Sequence, residues 1–218
     1  MSEENYVSPA RILRDLVPGE AWEGLTCFPR KRHSAGATLL RQGDSGTHVL
    51  ALIRGMVKVV RGESGGRDRL LAFRGPGEVL GEMAVQDGGG RLAHVRAISE
   101  CEVSVVPAEE FRDFVKRHNL ASQLAEYAVS RVREQTQACE GDIGRRLALA
   151  LLRLVEISGA RSFSITREEL AQHLGVGRNS VSGVLKRFGT ERVRAERTRI
   201  EVADEVYLRC VVRGRATE

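Results

Sequence analysis

Aromatic side chains are scarce in this chain: phenylalanine, tyrosine and tryptophan together make up 5% of its 218 residues. The core must therefore be mostly aliphatic. Long apolar runs are also missing, since no stretch stays apolar over the roughly 20 residues that a membrane-spanning helix needs. The acidic start, MSEENY, is unlike a signal peptide. These absences argue against a membrane protein and favour a soluble protein of the cytoplasm, long enough to bury a real core.

The four cysteines are few and widely scattered, at Cys27, Cys101, Cys139 and Cys210. Such spacing argues against a zinc site, an iron–sulfur cluster and a redox pair. We expect small buried hydrophobes or free thiols in a reducing compartment, and no bound metal. The HExxH, P-loop and dinucleotide-binding fingerprints are absent as well, which argues against the enzyme classes that carry them.

One short segment, GDSG at residues 43–46, resembles the loop around the nucleophile of trypsin-like proteases, and His33 and His48 are near it in sequence. A hydrolase also needs a base, an acid and an oxyanion hole assembled around the serine. No second signature accompanies the segment, so a glycine–aspartate turn is the favoured interpretation. We expect that the chain is not an enzyme.

The formal net charge of +5 is unevenly distributed. Residues 143–218 contain 15 Lys and Arg against 9 Asp and Glu, whereas residues 1–142 contain 19 against 20. A nearly neutral first part joined to a basic second part suggests that only the second part meets a polyanion. A membrane surface competes with nucleic acid for that role, but the missing apolar anchor favours nucleic acid.

Residues 165–188 predict a helix, a tight turn and a second helix. Thr166 and Glu169 form a capping box, and Gly175 stands where helices commonly end. From Arg178 onward, apolar residues recur at i, i+3, i+4 and i+7. The opposite face of this helix has hydrogen-bonding, small or cationic residues: Asn179, Ser182, Gly183, Lys186 and Arg187. That chemistry suits a DNA groove, although a helical hairpin with a solvated basic face is the alternative.

From Cys27 to Pro107, short apolar runs alternate with glycine-rich turns such as residues 75–77 and 88–90. This spacing predicts an antiparallel sandwich or barrel, here a small jelly roll. Residues 8–25 predict a short helical lead-in. After Pro107 the periodicity becomes helical.

A long helix is expected from about Asn119 to Glu140. A heptad seam of mostly small or apolar residues runs along it: Ala121, Ala125, Ala128, Val132, Gln135 and Cys139. Leu120, Leu124 and Tyr127 form a second stripe, which we expect to face the β-domain. Two stripes suggest two partners, the second being another copy of this chain. One broad face in a monomer is the alternative.

The segment 141–144 breaks the long helix, and a helix from Arg145 to Glu156 should follow. Charged and apolar residues alternate from Arg192 to Val212, as in a small β-wing. Three arginines near its tip are candidates for phosphate contact, although each alone is more often a solvated strand residue: Arg194, Arg197 and Arg199.

This order of elements resembles the CRP/FNR family of bacterial transcription regulators over residues 20–212. The resemblance implies an α+β fold with three parts. Residues 1–118 would form a cyclic-nucleotide-binding-like jelly-roll sensor, 119–141 a dimerisation helix and hinge, and 142–218 a winged helix-turn-helix domain. Expected partners are double-stranded DNA, a second copy of the chain and RNA polymerase, with no membrane involved.

The most specific resemblance outside the DNA-binding region is the segment GEVLGEMAVQDGGGRLAHVRA, residues 77–97, which is similar to the family's phosphate-binding cassette. It implies that Glu82 accepts a hydrogen bond from a ribose hydroxyl and that Arg91 pairs with a cyclic phosphate. The remaining implied members of the nucleotide site are Gly81, Met83 and Ala84 through their backbone, Leu92 next to Arg91, and Gln135 and Thr136 near the base. Cyclic AMP is the first expected ligand and cyclic GMP the second.

Several positions depart from the family pattern. Leu92 stands where cyclic-AMP binders carry a hydroxyl donor, Gln135 replaces a small hydroxyl near the base, and the hinge is short. A degenerate pocket in which Glu82 pairs with Arg91 is therefore an alternative, as is a nucleotide sensor that acts through a protein partner. His94 is a haem-ligand candidate only in principle, since a lone strand histidine is usually packed or at the surface.

The DNA-binding residues are also only partly family-like. Arg178 matches the leading recognition arginine, Asn179 replaces an acidic residue, and Gly183 stands where a second arginine is common. We therefore expect a half-site other than TGTGA. The full expected contact set is Thr166, Arg167, Arg178, Asn179, Ser180, Ser182, Gly183, Lys186 and Arg187, with Ser180, Ser182 and Lys186 on phosphates.

Overall fold

The computed structural model describes residues 12–62, 68–137 and 141–214. The described part of the chain forms two compact units, the first ending at Arg133 and the second beginning at Glu134. The sequence-based divisions at 118 and 141 differ from this boundary and stay predictions. Within the described ranges, no helix is long and apolar enough to cross a membrane.

The first unit contains two four-stranded antiparallel sheets, as the glycine-punctuated pattern predicts. The strands are β1 Arg30–His33, β2 Thr38–Leu40, β3 His48–Arg54, β4 Val57–Gly62, β5 Asp68–Arg74, β6 Val79–Leu80, β7 His94–Ala97 and β8 Cys101–Pro107. One sheet has the order β1-β8-β3-β6 and the other β2-β7-β4-β5. Leu50 and Leu52 of β3 pack in a cluster with Val57 and Val95 of the other sheet. The sandwich core lies between the sheets.

Helices cover the opposite face of β3, because successive strand residues point to opposite sides. These helices are α1 Leu13–Leu16, α2 Gly19–Thr26, α3 Glu82–Asp87, α4 Ala108–Arg117 and α5 Ala121–Gln137. Val49 and Ala51 of β3 share a buried cluster with Trp22, Phe111 and Tyr127. Two short helices thus form the expected lead-in. The predicted inner stripe of the long helix is confirmed, with Leu120, Leu124 and Tyr127 all in this cluster.

The second unit contains a three-stranded sheet and four further helices within the described residues. Its elements are α6 Ile143–Ser158, β9 Ser162–Phe163, α7 Arg167–Leu174, α8 Arg178–Phe188, β10 Val193–Ala195, β11 Ile200–Val202 and α9 Glu205–Val212. Helix α6 is longer than expected, because the Asp142 carboxylate accepts from Gly144 N at 2.7 Å and Gly159 ends the helix at φ +64°.

The prediction of a β-wing up to Val212 was wrong in its second half. Strands β10 and β11 form the hairpin, but the strand ends at Val202 and α9 begins at Glu205. Asp204 caps this helix by accepting from Tyr207 N at 2.9 Å. Leu208 of this helix is fully buried. A local cap therefore outweighs the apparent alternation.

Candidate functional sites

Within the cassette, strand β6 is followed by a glycine in the left-handed conformation. Gly81 has φ +81°, and α3 follows directly from Glu82. An ideal Cβ on Gly81 would collide with Nη1 of Arg91. Backbone conformation and the close arginine both require glycine here. The sequence-predicted residues Gly81, Glu82 and Arg91 are thus brought together.

Arg91 is 4% exposed, and its guanidinium donates to two backbone carbonyls. Nη1 donates to Gly81 O at 2.5 Å, and Nη2 donates to His48 O. Burial lowers the pKa of Arg91, while Glu82 and Asp44 act in the opposite direction. The residue expected to hold a phosphate is therefore already paired with the protein's own acceptors.

Glu82 does not pair with Arg91 as the degenerate-pocket alternative supposed. It is 7% exposed, and its Oε1 accepts from Nη1 of Arg131 at 2.6 Å. Arg131 lies on α5 one turn after Tyr127, and sequence reasoning did not identify it. The available signal was a charged residue continuing the apolar stripe at positions 120, 124 and 127.

Arg131 belongs to a larger buried polar network. Its Nη2 donates to Glu78 Oε2 at 3.2 Å, to Val79 O at 3.0 Å and to the Tyr127 hydroxyl. The Tyr127 hydroxyl in turn donates to Glu78. Arg74 Nε lies 3.9 Å from the other Glu78 oxygen. Two carboxylates, two guanidinium groups and a phenol thus stabilise one another where α5 meets the β-domain.

Burial and the charges of the neighbouring groups determine the protonation states of Arg131 and Tyr127. Burial by itself lowers the pKa of Arg131, but the carboxylates of Glu82 and Glu78 outweigh it and raise that pKa, so the guanidinium stays charged. Burial raises the pKa of Tyr127 well above its ordinary value, and Arg131 only partly opposes the effect. The phenol is therefore neutral and can donate.

The other expected nucleotide contacts are more scattered. Ala84 is buried, whereas Met83 and Leu92 are 41% and 55% exposed. Thr136 is exposed on the last turn of α5, in the second unit. The side chain of Gln135 lies outside the described part of the structure, as does Cys139.

The structure shows what the GDSG segment and His94 contact. Gly43 has φ +85°, and Asp44 O accepts from Arg91 N at 2.8 Å, so the GDSG segment is the predicted turn. His94 Nδ1 accepts from Gln42 N at 3.1 Å. Among the described residues, no group of three His, Cys, Asp or Glu could hold a metal ion.

The second candidate site is α7, its turn and α8. Thr166 Oγ1 accepts from Glu169 N at 3.1 Å, and Glu169 Oε2 accepts from Thr166 N at 2.8 Å, which is the predicted capping box. Gly175 ends α7 at φ +63°. Arg167 donates to Ala195 O of the hairpin. Thr166 and Arg167 therefore both have partners within this unit.

Helix α8 has one buried and one exposed face. The buried residues are Val181, Val184, Leu185 and Phe188. The exposed residues are Arg178, Asn179, Ser180, Gly183, Lys186 and Arg187, and Ser182 is half-buried. An apolar face holds the helix on its domain, while hydrogen-bonding and cationic groups point outward without a carboxylate. This arrangement can contact phosphates and base edges.

Comparisons with known proteins identify two domains in this chain. A cyclic nucleotide-binding domain matches residues 30–118, and a Crp-like helix-turn-helix domain matches residues 145–211. The cyclic AMP receptor protein of Thermus thermophilus is 32% identical over 84% of this chain and 87% of its own length. A CRP-like cAMP-activated global transcriptional regulator of Mycobacterium tuberculosis is 28% identical over 74% of this chain and 75% of its own.

A solved structure has the same fold. A CRP-family transcriptional regulator from Thermus thermophilus superposes with a TM-score of 0.70, at 24% identity, over 86% of this chain and 98% of its own. In this chain the cyclic nucleotide-binding domain precedes the helix-turn-helix domain. The chain therefore belongs to the CRP/FNR family of DNA-binding transcription regulators and is not an enzyme.

Proposed function

We propose that the chain is a homodimeric, sequence-specific DNA-binding regulator whose binding responds to a cyclic nucleotide, cyclic AMP before cyclic GMP. The observation that carries the proposal is the exposed face of α8, which lacks carboxylates and displays Arg178, Asn179 and Lys186. Arg178 would pair with guanine O6 and N7 and Asn179 with adenine, while Ser180, Ser182 and Lys186 contact phosphates.

The dimer part of the proposal rests on the outer face of α5. The described seam residues Ala121, Ala125, Ala128 and Val132 are all exposed, and Val132 is 63% exposed. Val129, beside the seam, is 50% exposed. Small residues let two helix backbones approach closely. A second copy of α5 would cover this strip and set two α8 helices roughly 34 Å apart, one turn of DNA.

The ligand part rests on the donors and acceptors of the cassette. Glu82 supplies an acceptor suited to a ribose hydroxyl, and Arg91 supplies a cation suited to a phosphate. The backbone of Gly81, Met83 and Ala84 would complete the contact, with Thr136 and Gln135 toward the base. Leu92 offers no hydroxyl donor, so the phosphate would have fewer partners. Several relatives are named cAMP-activated regulators.

One observation favours a second candidate, a DNA-binding regulator that ignores nucleotides. Glu82 is paired with Arg131, and Arg91 with two carbonyls, so a nucleotide would have to displace protein groups from both. RNA polymerase is the further partner that we propose for either candidate. We also propose the cytoplasm as the location, because the partner is chromosomal DNA.

Two measurements test these candidates. Footprinting of the full-length protein on its own upstream region, against bulk competitor DNA, should give a protected site. An unprotected region and no preference over competitor would remove the regulator proposal and leave a nucleotide sensor. Calorimetry with cyclic AMP and with cyclic GMP should give saturable heat. A flat titration with intact footprinting would replace the first candidate by the second.

A further inference from the structure

Gly183 lies in the middle of α8, on its exposed face. Glycine loses more backbone freedom on folding than any other residue, so an exposed glycine inside a helix weakens that helix relative to alanine. A glycine that destabilises its own helix therefore calls for a structural or functional explanation.

The conformation and the packing of the folded domain do not require glycine at position 183. Gly183 is not among the glycines with positive φ, and an ideal Cβ built on it meets nothing within 4 Å. Gly81 is different, because it has positive φ and its Cβ would collide with Arg91. Alanine at position 183 would therefore fit the folded domain without strain and would favour the helix.

The surroundings of Gly183 indicate what approaches it. Asn179 lies one turn before it and Lys186 almost one turn after it, on the same exposed face. Arg187 follows in the sequence. Its Nη2 lies 4.0 Å from the point that a Cβ would occupy if one were added to Gly144, at the start of α6. Hydrogen-bonding and cationic groups without a carboxylate are complementary to a polyanion.

We propose that Gly183 is a specificity-determining residue, the point at which base edges in the major groove come against the backbone of α8. Without a Cβ there, the helix sits deeper in the groove, so that Arg178 and Asn179 reach the bases from its first turn. A methyl group at position 183 would hold the helix away from the base edges. This inference rests on the proposed DNA-binding function and specifies how its site is read.

The test uses the full-length protein and a duplex that the wild type selects from a random library. Gly183→Ala should weaken binding to that duplex about tenfold, the scale of one lost base contact, with under about a twofold change on random duplex. The same variant should raise the melting temperature by about 4 °C. The matched control is Gly24→Ala, since Gly24 is exposed within α2 and its Cβ also meets nothing within 4 Å. That control should melt higher with unchanged DNA binding.

Each other outcome has one meaning. Equal affinity of Gly183→Ala and wild type for the selected duplex overturns the inference and leaves the proposed function intact. A lower melting temperature for Gly183→Ala also overturns it, because the glycine would then serve the fold. A wild type that selects no sequence at all overturns the proposed function, and the inference with it.

Discussion

The guanidinium of Arg131 donates to the carboxylate of Glu82 across 2.6 Å and so joins the long helix α5 to the cassette. Both groups are largely shielded from water, with side chains 15% and 9% exposed. The same guanidinium donates to Glu78 and stacks 4.1 Å from the centre of the Tyr127 ring. One side chain of α5 therefore pairs with two buried carboxylates of the β-domain, and Arg74 beside Glu78 supplies the second positive charge.

Replacing Arg131 by methionine should destabilise the protein severely. Removing one partner of a buried ion pair leaves an uncompensated charge and costs roughly 3–5 kcal/mol. The control is Arg30→Met, because Arg30 also pairs with a glutamate, Glu102, but is 58% exposed. That change should cost under about 1 kcal/mol. Urea unfolding measures both, and equal losses would contradict the role assigned to Arg131.

Tyr127→Phe should lower the free energy of unfolding at pH 8 by about 1–3 kcal/mol, because Glu78 loses a buried donor. The variant should also change the response to alkali. Burial raises the pKa of Tyr127 in the folded state, so its contribution to stability is fully present below the phenol's ordinary pKa of about 10. That contribution falls as the pH rises toward the folded-state pKa, since only the unfolded phenol then releases its proton.

The measurement is the free energy of unfolding from urea titrations between pH 8 and pH 11. Wild-type stability should fall more steeply above pH 10 than that of Tyr127→Phe. Parallel curves would mean that Tyr127 is not the buried phenol described here.

The sequence predicts what is local. The capping box of Thr166 and Glu169 depends on residues three positions apart, and the apolar stripe ending at Tyr127 depends on helical periodicity. The burial of Arg131 cannot be predicted in this way, because arginines on helices are usually exposed. Arg131 is buried because it pairs with Glu78 and Glu82, which are distant in the sequence.

The same limit explains the other differences. The two backbone carbonyls that accept from Arg91 come from residues 10 and 43 positions away in the chain. No sequence pattern encodes that contact. The end of the wing at Val202 depends on a cap competing with alternation over a few residues, where periodicity is weakest. In the sequence, Gly183 is notable only because the family commonly has an arginine at this position. The open space around it becomes visible only in the folded structure.

Val132→Glu should prevent dimer formation. Val132 is 63% exposed on the seam of α5, and two copies would bring two carboxylates together in an apolar interface. Sedimentation equilibrium should show a monomer, with loss of cooperative binding to a two-half-site duplex. The control is Arg133→Glu, because position 133 lies roughly 100° further around the helix. A dimeric Val132→Glu protein would assign the contact to another surface.

Arg178 and Lys186 are both exposed on α8. Replacing each of them by alanine should weaken DNA binding in a different way. Arg178→Ala should cost about 1–3 kcal/mol on the selected duplex and relax the preference at one base pair, because a bidentate base contact is lost. Lys186→Ala should weaken binding to every duplex alike and reduce the slope of log affinity against log salt by about one. Fluorescence anisotropy with single-base variants of the duplex, at several salt concentrations, separates the two. An equal loss on selected and random DNA for Arg178→Ala would make that arginine a phosphate contact and leave base recognition to Asn179.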